Sequence, residues 1–579
     1  MKKLIFSCLL AAGWLAACQP TRTSQSTSDF PEVHIPNAIL CRAEPTDKAW
    51  YTSGKKATLF EGLGDLHHPV TTRSPEAQRY FDQGLMLAYG FNHAEAARSF
   101  FEATRLDSAC AMAHWGFAYV LGPNYNAGME KDNYERAYTA IQKALRYADR
   151  VTPKERALIQ AMAKRYPAVP VDERRPYDIA YSKAMKSVHD RFPDDADIAA
   201  IYAESLMDLH PWDLWEKNGQ PKPWTPEIVA TLEGLLKRFP EHIGTHHFYI
   251  HAVEASRNPQ RGLKSAELVG RLAPNASHLV HMPSHIYIRT GHYHEGSVAN
   301  QRAVEVDKKY LLDNHAEGSF VLTLHPHNYH FLAATATMEG NSQVALDAAW
   351  KVNENTRRKL LNEPGWSTLQ HYYSIPYYVA VKFSRWGDIL RWSEADTLRL
   401  AYPKAVRHYA RGMAYTGMGQ LDKARTELQQ LDRLAADPGL KKVTIWDLND
   451  ASSLFEIGRR VLRAEIMAKE NKSSESIRLL REAIAIEDRL NYNEPPDWFF
   501  SVRHHLGAIQ LKAKQWADAE RTYAEDLREF PNNGWALAGL AKARLEQGKT
   551  AEAQKTLAQA QQAWKWADGP LRNSLVNLD

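Results

Sequence analysis

The 579-residue chain lacks the motifs that mark the commonest enzyme and nucleic-acid-binding classes. It has only four cysteines, and these form no cysteine-rich metal motif. It contains no Gly-rich phosphate loop, no serine nucleophile elbow and no His-Glu-x-x-His zinc-protease motif. The formal net charge of +4 is small for this length. Composition therefore gives no reason to expect nucleic acid or an anionic lipid surface as a partner.

The longest apolar run lies at the N-terminus and is too short to span a membrane. It follows a cationic "MKK" and ends in "LAAC", a sequence that resembles the bacterial lipobox. The resemblance implies a signal peptide over residues 1–17, cleavage before Cys18 and lipidation of that cysteine. Gln19 indicates sorting to the outer membrane of the bacterial cell envelope. An ordinary secretory signal cut nearby is the alternative.

A polar, Ser/Thr-rich tether is expected over residues 18–40, followed by an N-terminal segment, 41–75, before the first repeat. Cys8 leaves with the signal peptide and Cys18 is acylated, so two cysteines remain. Cys41 and Cys110 either form one disulfide in the oxidising envelope or stay as two free, buried thiols.

From about residue 76 the chain has a helical pattern that repeats. Near the C-terminus, Leu506 and Leu540 are 34 residues apart, as are Ala519 and Ala553. This sequence resembles the tetratricopeptide repeat (TPR), which has that period. The resemblance implies an all-α, TPR-like solenoid, a right-handed superhelix of helical hairpins with irregular insertions. We expect a solenoid with a His-rich groove over 76–400 and C-terminal TPR repeats over 401–579.

Histidines recur at fixed positions of this repeat, in "THHFYIHAVEAS" and "NASHLVHMPSHIYIRTGHYHEG". If successive repeats begin at residues 243 and 277, His247 and His281 occupy the fifth position and His251 and His285 the ninth. A third repeat beginning at 326 places His330 at the fifth position. His278 and His327 each occupy a second position.

Positions two, five, nine and twelve lie on one face of a helix. Imidazoles from adjacent helices that are about 8–10 Å apart can converge on one ion. The sequence therefore predicts a transition-metal site for Cu, Zn, Fe or Ni, ions that imidazole ligand type does not separate. The predicted ligands are His247, His251, His281, His285, His330 and His327. Glu254 is predicted to orient a ligand or accept a proton, and is the candidate catalytic residue. An anion- or peptide-clamping cluster and simple core packing are the alternatives.

A narrower resemblance rests on "HMPSHIY", "HFYIHAVE" and "CAMAHWGFAYVLGPNYN". These stretches resemble a largely uncharacterised family of exported bacterial TPR lipoproteins. The resemblance implies the architecture and the placement of the histidine motifs, and no reaction. "LHPHNYHFL" offers three histidines where the family pattern suggests one, so the ligand from the third helix stays open.

Two functions from different classes follow. The first is an envelope-anchored solenoid with a metal site, either a metal-dependent hydrolase or oxidoreductase or a metal-handling protein. The second is a non-catalytic scaffold that binds a protein or peptide at the envelope. A third possibility is capture of a small ligand or glycan. The Pro- and Trp-rich insertion 211–224 and the aromatic "PPDWFFSVRHH" have no role in the repeat pattern beyond packing.

Overall fold

The computed structural model describes residues 48–314, 320–395 and 397–575. The predicted signal peptide and tether, Cys18 and Cys41 lie outside the described residues; Cys110 is buried with a free thiol. Within those ranges almost all regular structure is helical, which confirms the predicted all-α, TPR-like solenoid. No helix in the described part of the chain has the length and apolar character needed to cross a membrane.

The N-terminal part of the solenoid consists of helices joined by short turns and by longer connections at 53–74, 163–174 and 208–224. The helices are α1 (Lys48–Thr52), α2 (Pro75–Tyr89), α3 (His93–Leu106), α4 (Ala111–Leu121), α5 (Asn133–Arg146), α6 (Pro153–Met162), α7 (Arg175–Arg191), α8 (Ala196–Met207) and α9 (Thr225–Arg238), with a 3₁₀ turn at Ala148–Arg150.

The middle part carries the predicted histidine repeats. It comprises α10 (Ile243–Val253), α11 (Leu263–Leu272), α12 (Ser277–His281), α13 (Pro283–Thr290), α14 (Tyr293–Asn314), α15 (His325–Glu339), α16 (Ser342–Asn355), α17 (Thr368–Lys382) and α18 (Trp386–Ala395). Short 3₁₀ turns lie at Pro259–Gly262 and Arg358–Leu360, and a π-helical turn at Phe320–Leu324.

The C-terminal part begins just after the predicted division at residue 400. It comprises α19 (Ala401–Gly417), α20 (Leu421–Leu434), α21 (Ala451–Lys469), α22 (Ser473–Glu487), α23 (Arg503–Lys512), α24 (Trp516–Glu529), α25 (Gly534–Glu546) and α26 (Thr550–Ala563). A 3₁₀ turn at Leu440–Lys442 precedes a two-residue ladder between β1 (Thr444–Ile445) and β2 (Asn449–Asp450).

The two largest hydrophobic cores meet inside α13. One core runs from Ala57 to Ile286, and the other begins at Ile288. Glycines set the close helix packing of the first core, since a Cβ on Gly116 would lie 2.4 Å from ring carbons of Phe100. The helices that carry the histidines therefore lie where the two cores join.

The C-terminal repeats pack back against the middle helices. Gly291, in the left-handed conformation (φ +78°), ends α13, and a Cβ there would lie 2.4 Å from the carbonyl oxygen of Pro531. The hydroxyl of Tyr293 donates to that carbonyl at 2.9 Å, and the indole N–H of Trp535 donates to the carbonyl of Thr337 at 3.0 Å. These contacts bring the segment between α22 and α23 over the histidine helices.

Candidate metal centre

Three neighbouring helical segments carry the histidines: α10, the pair α12–α13, and α15. They begin at Ile243, Ser277 and His325, beside the repeat starts of 243, 277 and 326 expected from the sequence. α12 and α13 form one helical rod interrupted at Pro283, which cannot donate a backbone hydrogen bond. The same-face histidines of the three segments consequently point into one interior region.

The first three-histidine set consists of His247, His251 and His278. One ring nitrogen from each lies within 4.8 Å of the other two. Nδ1 of His247 bonds to the carbonyl oxygen of Tyr89 at 2.5 Å, and Nδ1 of His251 to Oε1 of Glu254 at 2.9 Å. Nε2 of both, and both ring nitrogens of His278, are buried without a hydrogen-bond partner. Metal-ligating histidines are commonly held as His247 and His251 are, with a hydrogen-bond acceptor on the ring nitrogen that does not bind the ion.

The second set consists of His281, His285 and His327, again with ligand atoms within 4.8 Å of one another. Nδ1 of His281 donates to Oδ1 of Asn300 at 2.7 Å, which leaves its Nε2 as an acceptor. That Nε2 lies 2.9 Å from Nε2 of His285. Adjacent ligands of one ion have this spacing, because imidazole nitrogens lie about 2.0–2.1 Å from zinc. The two Nε2 atoms face each other across the position that a cation would take.

Glu254 connects the two sets. Its two carboxylate oxygens bond to Nδ1 of His251 at 2.9 Å and to Nδ1 of His285 at 2.5 Å. Burial raises the pKa of this carboxyl, but the charges of His285 and His251 and their hydrogen bonds lower it to about 2. Glu254 is thus a fixed anion that orients one ring of each set. Orienting a ligand is one of the two roles that the sequence predicted for it.

A second carboxylate reaches the same ring from the far end of the chain. Oε2 of Glu494 lies 3.2 Å from Nδ1 of His285, and the hydroxyl of Tyr492 donates to its other oxygen. Burial raises the pKa of Glu494 to about 7. Burial lowers the pKa of His285, but Glu254 and Glu494 together raise it to about 9. This ring is therefore protonated when no cation is bound.

The other imidazoles are held neutral, which is the ligand form. Burial lowers the pKa of His247, His278 and His281 well below its usual value, and their mutual repulsion adds to this effect. Aromatic rings exclude water around them: the ring centroid of Phe91 lies 4.4 Å from that of His247, and that of Phe331 lies 4.6 Å from that of His285.

His330 lies apart from both sets. Its ring stacks on Phe499 at 5.4 Å and lies 5.8 Å from His371, whose Nδ1 bonds to the hydroxyl of Tyr402 at 2.9 Å. The structure brings five of the six predicted ligands into the two sets. It places the sixth, His330, beside an aromatic cluster formed by His371, Tyr372 and Phe499, which we call the C-terminal aromatic cluster. His278, which was not among the predicted ligands, belongs to the first set.

Two residues of the candidate site, His278 and Glu494, were not assigned to it from the sequence, and only one of them had a sequence signal. His278 occupies the second repeat position, the same as His327, so the repeat frame itself contained the signal. Glu494 belongs to a loop outside the repeat period, and nothing in its neighbourhood pointed to His285. The predicted open groove also differs from the structure: His247 and His281 are 0% exposed because aromatic side chains and this loop cover them.

Comparison with known proteins places the repeat at the C-terminus. The family profile described as tetratricopeptide repeat matches residues 510–563, from within α23 to the end of α26. No curated protein matches the chain.

Among solved structures, the chain is similar to a human IFIT1 dimer with m7Gppp-AAAA at 13% identity, covering 85% of this chain and 91% of that one with a TM-score of 0.31. A human IFIT1 dimer with PPP-AAAA gives 14% identity, the same coverage and 0.28. The P58(IPK) TPR domain gives 11%, with 85% and 99% coverage and a TM-score of 0.20. Similarity at this level carries no information about function. The helical hairpins and the match at 510–563 make the chain a TPR-like α-solenoid with a tetratricopeptide repeat near its C-terminus.

Proposed function

We propose that the buried histidines bind two transition-metal ions, one in each three-histidine set. The observation that carries this proposal is the set of unpartnered ring nitrogens of His247, His251 and His278. A buried polar group without a partner costs about 1–3 kcal/mol. Several such groups converge on one point and are stabilised when a cation occupies it; hydrogen bonds on Nδ1 fix two of the three rings, those of His247 and His251.

The donor set fits Cu, Zn, Fe or Ni, because neutral imidazole suits all four ions. When bound, such an ion supplies Lewis acidity or an activated water. The chain's own residues do the positioning: Glu254 fixes His251 and His285, and the carbonyl of Tyr89 fixes His247. A metal-dependent enzyme and a metal-handling protein both use this arrangement.

The test is metal analysis by mass spectrometry of the tagless protein from residue 19 onward, purified without chelators. We expect two equivalents of metal in the wild type and one in a His247→Gln/His278→Gln variant. A His281→Gln/His327→Gln variant should also retain one equivalent. His330→Gln is the matched control, since this buried imidazole belongs to neither set, and it should retain two. Absence of metal from the wild type after reconstitution would refute the proposal.

The location of the protein at the envelope is part of the proposal. The "LAAC" sequence supports lipidation of Cys18 and anchoring in the outer membrane. Intact-mass analysis of the membrane-extracted protein tests this step. A mass that matches cleavage before residue 18 plus acyl chains, absent from Cys18→Ala, is the expected result; an unmodified soluble product contradicts it.

Partner binding by the C-terminal repeats is the second candidate function. TPR arrays commonly bind proteins or peptides, and this one exposes Leu545, Leu557 and Trp566 by 46–56% in and just after its last hairpin. Photo-crosslinking from position 557 in intact cells tests it. A discrete crosslinked partner that is lost with Trp566→Ala supports the scaffold function; no adduct from this face counts against it.

A further inference from the structure

A cavity of about 690 Å³ opens beside the metal centre. Much of its wall comes from two segments outside the repeat pattern, part of the insertion (211–217) and the loop at 488–498, and helices α13 and α24 supply further lining residues. Ligand sites typically have volumes of about 300–1,000 Å³ and a few convergent polar groups. We propose that this cleft binds a neutral carbohydrate, a function separate from metal binding.

Two cleft residues connect the cavity to the histidines. The ring of Trp212 lies edge-on to His251 with centroids 5.8 Å apart, and Glu494 contacts His285. Trp212 has a left-handed backbone (φ +57°), which is costly for a large side chain and is found where function fixes a conformation. A ligand in the cleft therefore lies near one ring of each histidine set, His251 and His285.

Nine carboxylates line the cleft against six basic side chains, which argues against an anionic ligand. Lys222 pairs with Asp213 at 2.8 Å, and Arg503 with Asp488 at 2.8 Å. Arg257 is paired as well, with a carboxylate at the end of α24. Phosphate or carboxylate binding needs positively charged donors with open positions. These three cations are already engaged.

The unsatisfied groups around the cleft include both acceptors and donors. Oε2 of Glu494 and Oδ1 of Asp526 are buried carboxylate oxygens that accept no hydrogen bond. Nε1 of Trp498 is an unpartnered donor. A hydroxyl group both donates and accepts, so a ligand with many hydroxyls satisfies this mixture.

Aromatic rings complete the surface. Trp215, held by a 2.9 Å hydrogen bond from its indole to a carbonyl of α10, lies on one wall, and Tyr492 lies on the other. Both are half-buried, so each presents part of a rigid apolar face to the cavity. Apolar faces between polar groups match the alternating C–H and O–H surface of a sugar ring.

The experiment is isothermal titration of the full soluble chain with maltotriose, cellotriose and triacetylchitotriose, each with metal-free and metal-loaded protein. We expect at least one trisaccharide to bind in both states. Trp215→Ala and Tyr492→Ala should each weaken its binding by about tenfold, which corresponds to about 1.4 kcal/mol. Trp350→Ala removes a half-buried ring of α16 that packs on Trp392 and does not line the cleft, and is the matched control, with no expected change.

The two proposals fail separately. Binding of a trisaccharide by protein that holds no metal supports the cleft and leaves the metal centre to its own test. No binding of any of the three sugars, in either metal state, overturns the carbohydrate proposal. Binding that both ring deletions leave unchanged also overturns it, as it would place the sugar elsewhere. Circular dichroism and thermal melting of each variant establish that it is folded.

Discussion

Replacing Glu254 with glutamine tests how the two histidine sets are held together. The carboxylate accepts hydrogen bonds from both His251 and His285, one on each oxygen. A glutamine amide has one accepting oxygen and one donating nitrogen, so it satisfies only one of the two rings. The other ring then faces a donor and loses its fixed orientation. The substitution keeps the size of the side chain and removes only its charge and one acceptor.

The expected loss of metal affinity depends on which hydrogen-bond acceptors His251 and His285 keep after the substitution. Loss of the hydrogen-bond acceptor that orients a metal-binding imidazole typically weakens metal binding by about 10–100-fold, or about 1.4–2.7 kcal/mol. His285 still has Glu494 at 3.2 Å, whereas the only acceptor that the structure shows for His251 is Glu254. The first set should therefore lose more affinity than the second. Zn²⁺ titration against a chromophoric chelator resolves the two steps and measures each.

Glu295→Gln is the matched control, because this glutamate is exposed on α14 and contacts neither set. It should bind both ions as the wild type does. Unchanged affinity at both steps in folded Glu254→Gln protein would refute the role of Glu254 as the common positioning residue. Equal losses at both steps would refute the assignment of Glu494 as the reserve acceptor of His285.

Three further predictions concern stability. Burial lowers the pKa of Lys382 to about 7 in the folded protein. Between about pH 7 and 10.4 the unfolded chain therefore binds one more proton at this residue than the folded chain, and the free energy of unfolding should rise with pH by up to about 1.4 kcal/mol per pH unit. Urea unfolding at several pH values should show a flatter pH dependence for Lys382→Met than for the wild type. Gly116→Ala should destabilise by about 1–3 kcal/mol because its methyl group would overlap Phe100, whereas Gly387→Ala, with open space around it, should be neutral or stabilising by thermal melting. Trp535→Phe removes the indole hydrogen bond to the carbonyl of Thr337, which then keeps only the N–H of Gly340 at 3.2 Å, and should cost about 0.5–1.5 kcal/mol in urea unfolding.

The sequence was informative where structure is periodic. The spacing of 34 between matched histidines is enough to place helix starts near 243 and 277, the turn glycine Gly340 places the third near 326, and the same face then contains most of the candidate ligands. The position of His330 shows the limit of this reasoning. Position five on α15 lies against Phe499 and Tyr372 rather than in either histidine set, and a repeat frame does not encode that contact.

Contacts across the chain had no sequence signal. Glu494 meets His285 because the C-terminal repeats pack onto the middle helices through Tyr293 and Trp535. That packing depends on the accumulated rotation between successive hairpins, which no short pattern specifies. The loop that carries Glu494 has no helical or strand period, so its place over the histidines follows only from the three-dimensional packing.

The burial of the histidines separates two functions that the sequence alone left in competition. A peptide in the groove of a TPR array would have to contact the first-helix side chains, but His247 and His281 are fully covered by the protein itself. A scaffold function must therefore use other surfaces, such as the exposed C-terminal hairpin. The proposed metal centre and the proposed partner surface involve different residues, so each can be removed without the other. A variant that loses metal and keeps its crosslinked partner would show that the two functions are independent.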